Sequence, residues 1–184
     1  MFYILRHGRT DWNEEHRLQG EVDIPLNETG RQMAYDAAEK YKDIDFDICY
    51  CSPLKRAQET ARIFLSGRNP AVEIITDNRL HEMCFGDYEG VKNIRQKPEC
   101  PVYLLFEEPE KYVARDGAES FEELYHRTGE FIEHVLKPQL AAGKSVLVVG
   151  HGAMNCSIVN QFRGTPIKDF WKDMQGNCEL LRVE

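Results

Sequence analysis

The protein has 184 residues, of which 42% are hydrophobic, and a formal net charge of −8 at pH 7. This length and composition predict one domain with a core of ordinary size. The negative charge argues against a nucleic-acid partner, because most of the surface would repel a polyanion. No basic leader precedes the first apolar run, and no run approaches the roughly 20 apolar residues that span a bilayer, so we expect a cytoplasmic protein without a membrane partner. Six cysteines form no C-x-x-C pair, which favours reduced thiols.

The first predicted element is a buried strand over residues 2–5, which ends at Arg6 and His7. A guanidinium at a strand tip can bind a dianion, and an imidazole there can act as base, ligand or nucleophile. Residues 11–26 are polar and show no sustained periodicity. We therefore expect an ordered loop around the tip of the first strand.

Two helices and two strands are predicted next. Asn27 is expected to cap a helix, and residues 47–51 form a short apolar strand. Ser52 is the predicted N-cap of a second helix, which places Arg56 in its first turn, beside a strand tip. A third strand is predicted at residues 71–76.

The middle of the chain departs from this alternation. Glu82 lies in a predicted loop at residues 80–90 that combines glycines with carboxylates. Residues 91–117 contain three prolines and mixed aromatics. We expect this segment to be a cap-like excursion from the sheet within a single domain over residues 1–184, not a second domain. A capping box at Ser120 then begins a long helix, which Pro138 is expected to end or kink.

A second buried strand, over residues 145–149, leads directly to His151. A helix to about residue 162 and an edge strand at residues 179–183 complete the chain. These elements predict an α/β fold, in which strand ends share one edge of the sheet. We therefore expect four side chains from distant parts of the chain to meet there: Arg6, His7, Arg56 and His151.

Two guanidiniums and two imidazoles around one point suit a phosphoryl group, whose oxygens carry the charge of the transition state. One imidazole would attack in line, and the nearby positive charge would keep it unprotonated. The leaving alkoxide then needs a proton. Glu82 is the best-placed carboxylic acid, since Met83 and Phe85 would exclude water from it.

Short motifs occur in a fixed order along nearly the whole chain: Leu5-Arg6-His7-Gly8-Arg9-Thr10, Trp12-Asn13, Arg17-Leu18-Gln19-Gly20, Ser52-Pro53-Leu54, Arg56-Ala57, Glu82-Met83, Phe85-Gly86, Glu89-Gly90 and Val149-Gly150-His151-Gly152. Together they resemble the histidine phosphatase superfamily, in its phosphoglycerate mutase-like branch. The resemblance implies a three-layer α/β/α sandwich with a mostly parallel central sheet. It also implies a metal-independent phosphomonoesterase that acts on a small phosphorylated metabolite through a phosphohistidine intermediate.

The resemblance also assigns roles to residues. It implies His7 as the nucleophile and Glu82 as the proton donor, with the phosphate pocket completed by Arg6, Arg56 and His151. Asn13 and Gln19 match positions that reach the phosphate or the substrate in relatives, and Thr10 lies close enough to share that role. We expect no metal and no other cofactor, and a small-molecule phosphate ester as the partner.

The chain departs from the family at two places. Relatives commonly carry Glu or Gln where Arg9 stands, and Arg9 is expected either to contact a second acidic group of the substrate or to face solvent. Mutases carry an adjacent arginine pair in the excursion, where this chain has single cations such as Lys111 and Arg115, so a phosphatase is favoured over phosphoglycerate mutase-type transfer. Three aromatic residues of the excursion could line the pocket, and packing in the core is the favoured role for them: Tyr103, Phe106 and Tyr112.

Three alternatives fit the sequence less well. Cys51 precedes Arg56 by four intervening residues and not the five of a cysteine phosphatase loop, so it is expected to be a buried structural thiol. A zinc hydrolase would have to place a cation beside arginines, which repel it. A non-catalytic phosphate-binding regulator would use the same pocket without an acid, and Glu82 argues against it.

Overall fold

The computed structural model describes residues 1–184, which form a five-stranded sheet flanked by helices. The strand order is β3-β2-β4-β1-β5. All neighbouring strands are parallel except β5, which runs antiparallel to β1 at the edge of the sheet. The mostly parallel sheet and the terminal edge strand are thus confirmed. The strands are β1 (Phe2–Arg6), β2 (Ile48–Cys51), β3 (Glu73–Thr76), β4 (Val146–Gly150) and β5 (Leu180–Arg182).

Seven α-helices connect or cover the strands, and none of them is long and apolar enough to cross a membrane. Short 3₁₀ turns lie between β3 and the fourth helix, and another follows that helix. The helices are α1 (Asp11–Glu14), α2 (Glu28–Lys40), α3 (Lys55–Phe64), α4 (Tyr103–Glu107), α5 (Phe121–Phe131), α6 (Lys137–Ala141) and α7 (Gly152–Arg163).

The side chains of β1 alternate between two apolar clusters, one on each face of the sheet. Tyr3 and Leu5 pack with alanines of α2 and α3. Phe2 and Ile4 pack on the opposite face with residues of α5 and α7, including Phe131. Because successive side chains of a strand point to opposite faces, one buried strand serves both layers. The sandwich of helices, sheet and helices follows from this packing.

Several local predictions are confirmed. The Asn27 side chain accepts the N–H of Gly30 and caps α2. Ser120 and Glu123 form the predicted capping box of α5. Arg56 is the second residue of α3, as expected of the first turn.

Two local predictions are wrong, and of the two outcomes expected at Pro138 only an end of the helix is excluded. The stretch after β1 is not all loop, because Thr10 forms a capping box that begins α1. Ser52 is not the N-cap of α3, which begins at Lys55: its hydroxyl accepts the N–H of Leu54, just before the helix, and also bonds the ring of His151. Pro138 does not end the long helix: it lies in the first turn of α6, and a π-helical segment at Ile132–Leu136 separates it from α5. At that position the missing N–H of proline costs least.

The segment over residues 91–117 packs on the molecule through its own apolar residues. Val102 and Leu105 are fully buried in a third cluster, with Met83 from the loop after β3 and Ala153 from α7. This packing places α4 near the edge of the sheet where β1 and β4 end. Its residue Phe106 lines a cavity at that edge together with Arg6.

Candidate active site

The adjacent parallel strands β1 and β4 deliver the two histidines side by side. Arg6 is paired with Gly150 at the ends of these strands, and the N–H of His7 donates to the carbonyl of Gly150 at 2.9 Å. The imidazole rings of His7 and His151 have centroids 5.1 Å apart, at an interplanar angle of 59°. The expected meeting of these two side chains therefore occurs.

A cavity of about 110 Å³ opens beside His7. The structure brings four of the predicted residues to its wall: Arg6, His7, Arg56 and Glu82. His151 is not among the residues that line it, and its fully buried ring lies next to that of His7. Asn13 and Gln19 also line the cavity. Thr10 is fully buried and does not line this cavity.

His7 has one ring nitrogen free. Its Nδ1 lies 2.6 Å from the carbonyl oxygen of Gly8, so Nδ1 carries the hydrogen and donates it. Burial holds the pKa of His7 well below its ordinary value, and the charges of Arg56 and Arg6 lower it further. Nε2 therefore keeps its lone pair at neutral pH, as a nucleophile requires.

His151 has the opposite arrangement of partners. Its Nε2 lies 2.7 Å from the hydroxyl of Ser52, whereas its buried Nδ1 has no hydrogen-bond partner. Burial, followed by the charge of Arg56, holds the pKa of His151 well below its ordinary value. When the hydroxyl donates to Nε2, the neutral ring carries its proton on Nδ1, which is then an unused donor. Ser52 is a site residue that the sequence pattern predicts only as a helix cap.

The two arginines are held by backbone carbonyls and not by carboxylates. Arg6 Nη1 donates to the carbonyl of Gln175 at 2.9 Å, and Arg56 donates to those of Gly20 and Val22 at 2.7 and 2.8 Å. The Nε groups of both arginines are buried without a partner. Burial lowers the pKa of Arg56 to about 10, which leaves it cationic at neutral pH. An anion in the cavity would satisfy donors that are otherwise costly to bury.

The loop whose Gly20 and Val22 carbonyls bind Arg56 is itself bound by the carboxylate of Glu89. The Glu89 carboxylate accepts the N–H groups of Glu21 and Val22, at 2.9 and 3.1 Å, and that of Phe85 at 3.1 Å. Gly20 sits against this carboxylate with φ +56°, and a Cβ there would lie 1.9 Å from Oε1. The Glu89-Gly90 motif is visible in the sequence, but its contact with residues so distant along the chain is not.

Glu82 lies at the N-terminus of α7. Its carboxylate accepts the N–H groups of Gly152, Ala153 and Met154 at 2.8, 3.2 and 2.9 Å, and that of Met83 at 2.9 Å. The first residue of α7 follows His151, so the same strand end places both the histidine and the helix that fixes this carboxyl group. Its surroundings are thus polar N–H groups, and not only the apolar neighbours that the sequence suggests.

Thr10 orients the two amide side chains of the cavity. Its hydroxyl donates to Oε1 of Gln19 at 2.9 Å, and its backbone N–H donates to Oδ1 of Asn13 at 3.1 Å. With both amide oxygens occupied, the amide nitrogens remain as donors at the cavity wall. The geometry gives Thr10 a supporting position behind the residues that line the cavity.

A larger groove of about 800 Å³ adjoins the cavity and shares Arg6, Asn13 and Phe106 with it. Arg9 lines this groove. Phe106 takes the less favoured of its two expected roles, because it lines both spaces, stacked on Trp171 with centroids 5.1 Å apart. The other two aromatic residues of the excursion, Tyr103 and Tyr112, line neither space.

The cysteine and zinc alternatives do not fit the geometry. Cys51 is fully buried, and this burial raises the pKa of its thiol, so it is a poor nucleophile. No three or more His, Cys, Asp or Glu side chains are grouped in a way that could hold a metal ion.

A buried neutral imidazole with a free nitrogen, next to guanidinium donors without anionic partners, is a site suited to accept a phosphoryl group on histidine. The family model of the histidine phosphatase superfamily (branch 1) matches residues 2–184, and the chain belongs to this superfamily.

Relatives within the superfamily carry both phosphatase and mutase names. The "Uncharacterized phosphatase PhoE" of Bacillus subtilis is 35% identical over 162 residues, which are 88% of this chain and 76% of that protein. A "2,3-bisphosphoglycerate-dependent phosphoglycerate mutase 2" of Gloeobacter violaceus is 31% identical over 154 residues, 83% of this chain and 70% of the relative. Among solved structures, a mycobacterial glucosyl-3-phosphoglycerate phosphatase complexed with VO3 aligns with a TM-score of 0.82 at 27% identity, over 97% of this chain and 90% of that one.

Proposed function

We propose that the protein is a metal-independent phosphomonoesterase that hydrolyses a small cytoplasmic phosphate ester through a phosphohistidine intermediate. The observation that carries this proposal is the environment of His7. Its ring is buried and neutral, its Nδ1–H is bound to Gly8, and its Nε2 has no hydrogen bond beside an open cavity. Six free cysteines fit a reducing compartment.

In the proposed reaction, His7 Nε2 attacks the phosphorus in line, and the bond from phosphorus to the ester oxygen breaks. Glu82 gives its proton to the departing alkoxide. A water molecule then attacks the phosphohistidine and loses a proton to Glu82, and inorganic phosphate and free His7 are released. This assignment makes Glu82 first acid and then base, and no metal takes part.

The proposed phosphate pocket uses the donors that have no partner. The Nε groups of Arg6 and Arg56 and the Nδ1–H of His151 are buried and unsatisfied. The arginine donors, with the amide nitrogens of Asn13 and Gln19, would neutralise the phosphoryl oxygens as charge spreads over them in the transition state. The Nδ1–H of His151, which does not line the cavity, would join them once the phosphoryl group reaches the adjacent ring of His7. Their pre-existing orientation supports catalysis and not merely binding.

We further propose that residues 1–184 form a single domain, with the segment over residues 91–117 as a cap over the site. The burial of Val102 and Leu105 against Met83 supports this organisation. The position of Phe106 at the cavity wall gives the cap a direct contact with a bound ester.

The test is hydrolysis of 4-nitrophenyl phosphate by the purified protein in the presence of EDTA. We expect full activity with the chelator, loss of turnover in His7→Ala, and no change in the matched control His134→Ala, whose side chain is exposed. Turnover that EDTA abolishes, or that His7→Ala retains, would contradict the proposal. The mutase alternative, which the Gloeobacter relative supports, is tested with phosphoglycerate in the presence and absence of a bisphosphoglycerate primer: isomerisation that depends on the primer would establish it.

A further inference from the structure

The groove beside the phosphate cavity carries an unusual concentration of positive charge for a chain of net charge −8. Four arginines line it, Arg6, Arg9, Arg17 and Arg95, against one carboxylate, that of Glu14. Because the rest of the molecule is acidic, this local field would attract an anion to the groove. The groove and the phosphate cavity share wall residues, so one small molecule can occupy both.

Three of these arginines already have partners. Arg6 donates to the carbonyl of Gln175, and Arg17 is paired with Glu15 at 2.8 Å. Arg95 is paired with Glu107 at 2.9 Å. Arg9 is different, since its half-buried side chain lines the groove but makes neither a hydrogen bond nor an ion pair. It is the groove's one arginine without a partner.

The backbone fixes the point from which Arg9 extends. The carbonyl of Arg9 accepts the N–H of Asn27 at 3.1 Å. It also lies against Gly30, where a Cβ would be 2.0 Å from this carbonyl oxygen. Arg9 is therefore packed closely against α2, two residues after His7, and its side chain reaches the groove from a rigid position.

Apart from Arg95, which is paired with Glu107, the cations singled out in the 91–117 segment do not take this place. Lys111 is paired with Glu108, and neither Lys111 nor Arg115 lines the groove or the cavity. A second negative charge on a substrate would therefore meet Arg9 and not these residues.

We propose that the natural substrate is a phosphate monoester with a second anionic group, and that Arg9 binds this group in the groove. The inference rests on the proposed phosphatase activity and names the class of ester that it acts on. A carboxylate and a second phosphate share the required chemistry, since each accepts two N–H groups of one guanidinium. The polar groove wall, with Asn93 and Gln96, suits a small hydrophilic body between the two anions.

The experiment compares matched alkyl esters that differ in the second charge. Phosphoglycolate, its neutral methyl ester and ethylene glycol bisphosphate are assayed with the wild type, Arg9→Gln and the control Arg115→Gln. We expect the wild type to prefer the two substrates with a second anion over the methyl ester in kcat/KM, mainly through KM. Arg9→Gln should reduce this preference by about two- to fivefold, as expected for one partly exposed ion pair. Arg115→Gln should keep it.

The order of phosphoglycolate and the bisphosphate identifies which second anion fits better. Equal kcat/KM for phosphoglycolate and its methyl ester in the wild type would overturn the inference, and so would an unchanged preference in Arg9→Gln. If the wild type hydrolyses none of the esters, the phosphatase proposal fails separately. Calorimetric titration with the same compounds then decides the inference. Tighter binding of phosphoglycolate than of its methyl ester by the wild type, with this difference abolished in Arg9→Gln, supports it. Equal binding of the two compounds by the wild type overturns it.

Discussion

The imidazole rings of His7 and His151 lie with their centroids 5.1 Å apart, although they come from distant parts of the chain. Parallel pairing of β1 with β4 produces this contact, because each strand ends immediately before its histidine. The two rings differ in their free nitrogen: Nε2 in His7 and Nδ1 in His151. In the proposed reaction one ring therefore attacks and the other donates a hydrogen bond.

Replacement of Glu82 should lower kcat by different factors for substrates with different leaving groups. In Glu82→Gln we expect kcat to fall about 100-fold or more for an alkyl phosphate, because an alkoxide needs a proton as it leaves. The loss for 4-nitrophenyl phosphate should be much smaller, since a nitrophenolate leaves without help. The measurement is steady-state kinetics on both esters.

The control for this substitution is Glu122→Gln, which also removes a carboxylate near a helix N-terminus, here one in the first turn of α5 and on an exposed surface. It should leave both rates unchanged. Equal losses for the alkyl and aryl esters in Glu82→Gln would argue against its role as the acid.

Removal of the Ser52 hydroxyl should weaken catalysis without unfolding the protein. Ser52→Ala takes away the only hydrogen bond to His151 Nε2, so the ring no longer has a fixed tautomer. We expect kcat to fall about tenfold, which corresponds to one hydrogen bond. Ser52→Thr keeps the hydroxyl and should restore most of the activity. Comparable kcat values for the alanine variant and the wild type would show that the hydroxyl does not position the ring.

Glu89 should act on phosphate binding through Arg56. In Glu89→Gln an amide donor faces backbone N–H groups, so the loop that carries the carbonyls of Gly20 and Val22 loses part of its support. We expect competitive inhibition by inorganic phosphate to weaken about tenfold.

In the double variant that combines Glu89→Gln with Arg56→Lys, the loss of binding free energy for inorganic phosphate should be smaller than the sum of the two single losses, because both changes act on one guanidinium. Asp87→Asn, an exposed change in the same loop, is the matched control. Full additivity of the two losses would show that Glu89 acts independently of Arg56.

The sequence was sufficient for most of the fold because its strands are strongly apolar. β4 is buried at every position and β1 at every position but its last, and such runs predict central parallel strands. Since the ends of parallel strands share one edge, the meeting of His7 and His151 could also be predicted. The helix caps Asn27 and Ser120 are local signals of the same kind.

The Thr10 capping box of α1 is a local signal that was missed, whereas the other predictions that failed depend on tertiary contacts. Ser52 has the sequence of a helix cap, yet its hydroxyl binds His151 across the sheet. The π-helical segment before Pro138 and the position of Phe106 depend on tertiary packing, which no local pattern records. The carboxylate of Glu89 likewise binds N–H groups of a loop far away in the sequence.

The buried histidines should make the fold sensitive to acid. The pKa values of His7 and His151 are held well below 6.5 in the folded protein, whereas the unfolded chain takes up protons below that pH. The stabilisation is therefore fully present above pH 6.5 and is lost as the pH falls, by up to about 1.4 kcal/mol per pH unit for each histidine.

Urea unfolding at pH 7 and pH 5.5 measures this effect. The double variant His7→Asn with His151→Asn should lose less free energy of unfolding between these pH values than the wild type, whereas His134→Asn should behave as the wild type. Equal pH dependence in the double variant and the wild type would contradict the assignment of neutral buried rings.

The central claim is that a phosphoryl group passes through Nε2 of His7. The most direct test uses an ester with a radiolabelled phosphoryl group. The enzyme is quenched rapidly, without acid, during turnover of this ester, and peptide mapping then locates the label. We predict a label on His7 that is stable in alkali and labile in acid, and no label in His7→Ala. A label on another side chain, or undiminished turnover in His7→Ala, would contradict the account.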